Sequence, residues 1–284
     1  MSGDVKVSEY TKHKTIFRNG SKTYFYSSLF FPAAVKADVF CLYAFVRVAD
    51  DFVDSVPQNK DGFHDFCQRY YAALSGTPAH DAVIDPFVEL SRRRGFDPQW
   101  TVAFLRSMEW DTCRQTYATI EDLLEYIYGS AEVIGLYMAR ILQLPDAAID
   151  FAVLQGRAMQ LINFVRDVAE DNELERRYLP QSETALENLS YSTAKAHPDE
   201  FVRYMRFQID RYRDWQQQAE QGFAYIPLRY RLAVAGAADM YSWTADQIYQ
   251  NPFVVYSQKV KPSKARIVSA AVWRAIARSS QGGQ

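Results

Sequence analysis

Apolar residues recur at intervals of three and four along most of the chain, from Val39, Tyr43 and Val46 near the start to Val268, Val272, Trp273 and Ile276 near the end. That spacing is the repeat of an amphipathic helix. No segment alternates apolar and polar residues between hairpin turns, so the expected fold class is all-α. Pro32 suits the first turn of a helix that runs to about Asp54, where Ser55-Val56-Pro57 stops it. Breaks at Gly76-Thr77-Pro78 and Gly95-Phe96-Asp97-Pro98 delimit helices over about 60–75, 79–94 and 98–114. Thr119-Ile120-Glu121-Asp122 resembles a capping box and opens a helix to about Leu144. Gly129 and Gly135 fall inside it, at up to ~1 kcal/mol each, which points to close approach of another element or to a kink. Pro145 precedes a helix over about 146–172, Tyr178-Leu179-Pro180 marks a loop, and helices follow over about 197–221, 224–250 and 263–278. No internal period or linker divides the chain, so residues 1–284 are expected to form one compact domain with 279–284 as a disordered tail.

With 284 residues, 48% of them hydrophobic, the chain can bury a sizeable core. Its 19 Tyr and 18 Phe could line a cavity as readily as fill that core, although for any one ring plain packing is the first reading. The balance of 32 basic against 34 acidic residues carries no polyanion-binding signature, so nucleic acid is not an expected partner. Cys41, Cys67 and Cys113 are far apart and outside any metal-binding spacing, which suits free thiols in a reducing compartment. Nearly apolar runs such as Val39–Val46 are under half the ~20 residues a spanning helix needs. A cytoplasmic location is expected, with no signal peptide.

Two acidic clusters change this picture: Asp50-Asp51-Phe52-Val53-Asp54 and Asp167-Val168-Ala169-Glu170-Asp171. In each, two aspartates four apart share a helix face and repel one another by a few tenths of a kcal/mol unless a cation offsets them. Backwards along each helix, Tyr43, Arg47, Asp50 and Asp54 fall in line, as do Gln160, Asn163, Asp167 and Asp171. Each set closes to within about 20° after three turns at ~100° per residue, so each is a polar stripe running through apolar neighbours. Two readings stand. Arg47 and Arg166 neutralise the aspartates as a core ion-pair network, or the stripes face a cavity in which carboxylates hold Mg²⁺ bound to a diphosphate.

Beyond that point the residues resemble the squalene and phytoene synthase family over nearly the whole chain. The resemblance rests on Ser21-Lys22-Thr23-Tyr24-Phe25-Tyr26, on Tyr43 to Asp54, on Tyr128-Gly129-Ser130-Ala131-Glu132-Val133-Ile134-Gly135, and on Gln160 to Asp171 with Arg177-Tyr178-Leu179-Pro180. It implies a helical isoprenoid-synthase fold with a central cavity, in which two prenyl diphosphates condense head to head through a cyclopropylcarbinyl diphosphate. Carried over by position, Asp50, Asp54, Asp167 and Asp171, with Asp51 and Asn163, would hold two or three Mg²⁺ ions, or Mn²⁺. Tyr128, Gln160 and Asn163 would stand near the reacting carbons. Lys22, Thr23, Arg47, Arg166 and Arg177 would contact diphosphate, and Tyr24, Ser28, Tyr43, Tyr178 and Tyr241 would line the substrate cavity.

Two departures from the family pattern matter. Lys259-Val260-Lys261 stands where an arginine is usual, so a lysine would serve there as a point charge. Ser28 lies one turn after Tyr24, where relatives making thirty-carbon products often carry a bulky aromatic. The small residue suits a longer tunnel, hence two geranylgeranyl diphosphates and phytoene as the first expectation. Farnesyl diphosphate giving squalene, dehydrosqualene or presqualene diphosphate is the alternative, and a catalytically silent assembly or membrane-associated member is a third reading. No dinucleotide fingerprint is present, so NADPH is not indicated, although relatives use it without that fold. The segment 259–284 has six Lys or Arg and no Asp or Glu, suiting either a helix docked on the bundle or peripheral contact with an anionic inner membrane surface.

Overall fold

The computed structural model describes residues 2–21, 25, 28–29 and 31–261, with side-chain surroundings from residue 7 onward. Among these residues the regular structure is helical, apart from a single bridge between Thr116 and Arg177. The helices are α1 Ser2–Gly20, α2 Ala33–Asp54, α3 Lys60–Leu74, α4 Ile84–Arg94, α5 Pro98–Trp110, α6 Ile120–Ile127, α7 Val133–Ile141, α8 Ile149–Arg166, α9 Val168–Glu173, α10 Tyr191–Ala196, α11 Pro198–Gln221 and α12 Leu228–Gln250. Side-chain caps set several of their starts: Asn59 accepts from Gly62 N, Asp97 from Gln99 N and Thr119 from Asp122 N. The helix expected over 263–278 lies outside the described residues.

One buried group gathers on α2, α4 and α5, with Phe40, Phe45, Phe87 and Phe104 at its centre. A second gathers around α8 and α11, with Leu161, Ile162, Phe201 and Tyr204. Helix α8 is the hub, with α7, α11 and α12 packed against it. Its contact with α7 is backbone to backbone. A Cβ on Gly135 would stand 2.1 Å from the Ala152 carbonyl oxygen, and one on Gly156 would stand 2.4 Å from that of Ala131. The glycines that lower helix propensity are therefore what let the two helices touch.

Three segments depart from the periodic expectation. The stretch read as one helix from Thr119 to Leu144 is interrupted by a π-helical turn at Tyr128–Glu132, where a Cβ on Gly129 would meet the Ala103 carbonyl oxygen at 2.2 Å. The helix read over 146–172 breaks at Asp167, whose backbone (φ −96°, ψ 13°) leaves the helical region. Its carboxylate receives Arg166 Nε at 2.8 Å, and adjacent side chains do not face one another on a regular helix, so this contact fits the break. Helix α1 was not expected, because few apolar residues mark its inner face. Phe17 stacks on Tyr43 at 3.9 Å and meets Phe40 edge-on at 5.5 Å, while buried His13 bonds the Ala82 carbonyl at 2.6 Å.

Gly135→Ala is expected to destabilise the protein by about 1–3 kcal/mol, because the obstructing atom is backbone and cannot swing away. At Gly236 in α12 nothing among the described residues lies within 4 Å of an added Cβ, so Gly236→Ala is expected to stabilise by about 0.5–1 kcal/mol. Denaturant melts of the two variants check both signs.

Candidate active site

The polar stripes of α2 and α8 open onto one cavity of about 990 Å³. From α2 its wall takes Tyr43, Arg47, Asp50 and Asp54; from α8 and α9 it takes Gln160, Asn163, Arg166, Asp167, Glu170 and Asp171. Ser28, Tyr178 and Tyr241 also line it, and apolar side chains such as Val39, Leu42, Phe104, Met138, Phe151 and Val234 complete the wall. Residues read as two separate clusters thus share one chamber. Lys22, Thr23 and Tyr24 lie outside the described residues.

Each aspartate has a cationic partner or a like-charged neighbour that sets its behaviour. Arg47 reaches Asp50 at 3.1 Å and Asp51 at 2.5 Å. Arg166 holds Asp167, and Lys259 approaches Asp167 at 3.4 Å and pairs with Glu170. Burial, followed by the Asp54 charge, pushes Asp50 up to about 7, and burial, followed by the Asp167 charge, pushes Asp171 up to about 8. Asp50 keeps 32% of its side chain exposed and lines the cavity. Lys261, on the same wall, is lowered by burial and then by the Lys259 charge.

Three of the sequence assignments are corrected. Asp51 is 55% exposed and off the cavity wall, since one position along a helix turns a side chain by ~100°. Tyr128 is 37% exposed and also off the wall. Tyr126, two residues earlier and almost opposite on the helix, is the tyrosine that faces the cavity. The buried spacing Leu123, Tyr126, Ile127 was the signal for it. Arg177 turns away and binds the carbonyls of Leu179, Leu186 and Glu187, clamping its own loop. Its neighbour Arg176 faces the cavity instead, bonding Asp54 Oδ1 at 2.8 Å and the Val53 carbonyl at 2.8 Å. No periodicity in that loop separates the two arginines.

Two further wall residues were not singled out. Asp111, buried at the end of α5, is pushed up to about 6 by burial, against the pull of hydrogen bonds from Tyr126 and Tyr178 and of the Arg176 charge. Ser130 Oγ is buried with no hydrogen-bond partner among the described residues, as is Asn163 Oδ1. Buried polar atoms left open toward a cavity suit a ligand. Asn163 Nδ2 lies 3.5 Å from Gln160 Oε1.

Among the described residues no three Asp, Glu, His or Cys side chains converge so as to hold a metal ion by themselves. The donors fit Mg²⁺ in another way. This ion is commonly bound through one or two carboxylates and completed by water and substrate phosphate oxygens. Raised carboxylates on opposite walls are the sites where added positive charge would be most stabilising.

A helical chamber lined by two acidic stripes and aromatic rings is what a prenyltransferase of the isoprenoid-synthase class requires, and the relatives of this chain place it in that class. The squalene/phytoene synthase family model matches residues 17–266, and the chain belongs to that family. It is 28% identical over 268 residues to the 15-cis-phytoene synthase of Synechococcus elongatus, spanning 88% of this chain and 87% of that one. To the 15-cis-phytoene synthase of Pantoea ananas it is 27% identical over 274 residues, spanning 90% and 89%. Its fold matches a dehydrosqualene synthase crystal structure with a TM-score of 0.83 at 22% identity, covering 96% and 98% of the two chains. A squalene synthase from Alicyclobacillus acidocaldarius matches with a TM-score of 0.77 at 19% identity, covering 87% and 95%. No described helix is long and apolar enough to cross a membrane.

The raised carboxylates give a pH signature. Asp171 binds its proton more tightly folded than unfolded, so its favourable contribution is complete below the ordinary carboxylate range and is lost as pH rises through about 8. Asp171→Asn is therefore expected to melt higher than the parent in metal-free buffer, with an advantage that grows from about pH 4 toward pH 8 and then levels off. Thermal melts across that range check it; an advantage independent of pH would contradict the assignment.

Proposed function

We propose that this enzyme joins two prenyl diphosphates head to head in a Mg²⁺-dependent reaction, most directly two geranylgeranyl diphosphates to give phytoene. The carrying observation is that two carboxylate pairs, Asp50/Asp54 and Asp167/Asp171, open from different helices onto one chamber whose remaining wall is largely apolar. Such a chamber can hold a charged head at its acidic walls and a hydrocarbon tail beyond them.

Asp50, Asp54, Asp167 and Asp171 would hold Mg²⁺, which when bound would supply positive charge toward a departing diphosphate. Arg47, Arg166, Arg176 and Lys259 supply fixed cationic donors to the same oxygens, placed where charge develops. Lysine at position 259 does this as a point charge rather than as a bidentate fork. Once diphosphate leaves, the allylic cation must meet the double bond of the second chain before it meets water. Phe104, Phe164, Tyr126 and Tyr178 on the wall exclude water and offer ring faces to positive charge. Ser28 supports the longer substrate. It is small, buried and on the wall, with its hydroxyl turned back to the Phe25 carbonyl at 2.7 Å.

Incubation with Mg²⁺ and each diphosphate separately, followed by identification of the hydrocarbon, tests the reading. A forty-carbon hydrocarbon from geranylgeranyl diphosphate is expected. Turnover of farnesyl diphosphate alone would refute the chain length, and no product from either would refute the reaction. Asp50→Asn and Asp171→Asn are each expected to lower turnover by about 100-fold or more while the helical circular-dichroism signal is retained.

A further inference from the structure

Asp111 belongs to neither acidic stripe, and no cation reaches its carboxylate within ion-pair distance among the described residues. What covers it is a pair of phenols. Tyr126 donates to one carboxylate oxygen at 2.6 Å and Tyr178 to the other at 2.7 Å. Its backbone carbonyl accepts from Gln58 Nε2 at 2.8 Å and Arg176 Nη2 at 3.2 Å, which anchors the residue from behind. The Tyr178 ring lies flat on Phe164 with centroids 4.3 Å apart and parallel to Tyr117 at 5.8 Å, so its plane is locked. Asp111, Tyr126, Phe164 and Tyr178 all touch the same cavity.

This arrangement has a chemical consequence for a chamber that handles carbocations. A bare carboxylate there would bond to the cation and form an ester. A carboxylate whose two oxygens are each engaged by a phenol is shielded from that reaction, yet its charge still raises the electron density of the phenols in a low-dielectric setting, most at Tyr126, since Arg176 Nη1 also donates to the Tyr178 oxygen at 3.4 Å. We propose that Asp111 is a positioning residue: it orients Tyr126 and Tyr178 as donors and makes them electron-rich, so that they stabilise the cation while the carboxylate itself stays out of bonding reach. The inference rests on the reading that the cavity condenses prenyl diphosphates.

The test is a double-mutant cycle on turnover with the full chain, Mg²⁺ and prenyl diphosphate. Asp111→Asn is expected to lower kcat at least about tenfold with KM changed little, because Arg176, the nearest diphosphate contact, is held by the Asp111 backbone carbonyl, which the substitution leaves in place. Tyr126→Phe and Tyr178→Phe should each lower kcat, and each should have a smaller effect in the Asp111→Asn background than alone, as expected of groups acting as a unit. A purely structural role would lower the melting temperature and leave kcat per folded molecule unchanged. That result, or effects that simply add, would overturn the proposal. Should Asp111→Asn fail to fold by circular dichroism, the two Phe variants decide: unchanged kcat in both overturns it. Parent protein that yields no hydrocarbon refutes the reaction instead, and so separates the two failures.

Discussion

The arrangement depends on one electrostatic constraint, which is that several carboxylates share a single low-dielectric chamber. Like charges so placed raise one another's proton affinity, and unpaired ones would disfavour the folded state. The chain meets this with cations drawn from distant segments: Arg47 on α2, Arg166 at the end of α8, Arg176 in the following loop and Lys259 near the end of the described chain. Each of these contacts also fixes geometry. Arg176 ties the loop after α9 to the end of α2, and the contact between Arg166 and Asp167 coincides with the break that ends α8 beside the cavity. Burial first, and the neighbouring carboxylate charge second, still displaces Asp50 and Asp171 upward.

The chamber exists because the helices around it touch closely elsewhere. Gly135 and Gly156 let α7 and its preceding turn meet α8 backbone to backbone, and Gly129 does the same toward α5. The π turn that Gly129 opens carries Ser130 onto the cavity wall with its hydroxyl unpartnered among the described residues. Along this one face of α8, tight packing at Ala152 and Gly156 gives way to the polar stripe from Gln160 onward, which faces the opening. Phenols in the wall act in two ways, as apolar surface and as hydrogen-bond donors to Asp111. That combination suits a reaction whose intermediates need both dryness and electron density.

Most of the helices were legible as periodic apolar runs, and the start capped by Thr119 was marked by residue type. The placement of residues differs from the sequence reading where period was ambiguous or absent. Tyr128 and Tyr126 differ by about 200° on a helix, and only the buried neighbours Leu123 and Ile127 distinguish them. Asp51 sits beside two cavity aspartates in the chain but one step around the helix from them. Arg177 and Arg176 lie in a loop that has no period, so the choice between them rested on hydrogen-bond partners far away in the chain. Helix α1 was invisible because its inner face is marked by little more than Phe17 and a buried histidine.

By itself the sequence determined the all-α class, two polar stripes each ending in a pair of aspartates, and the family to which the chain belongs. The first two follow from spacing along a helix, which is local and readable one turn at a time, whereas the family follows from the resemblance carried by motifs such as Gln160 to Asp171. Only the tertiary structure decided that both stripes face one chamber, that Tyr126, Arg176 and Asp111 stand on its wall, and that Asp51, Tyr128 and Arg177 do not. The physical reason is that burial and pairing depend on what lies opposite each side chain. The residue opposite is set by how whole helices pack, and packing at Gly135, Gly156 and Asp167 is decided by contacts between segments that the order of residues does not reveal.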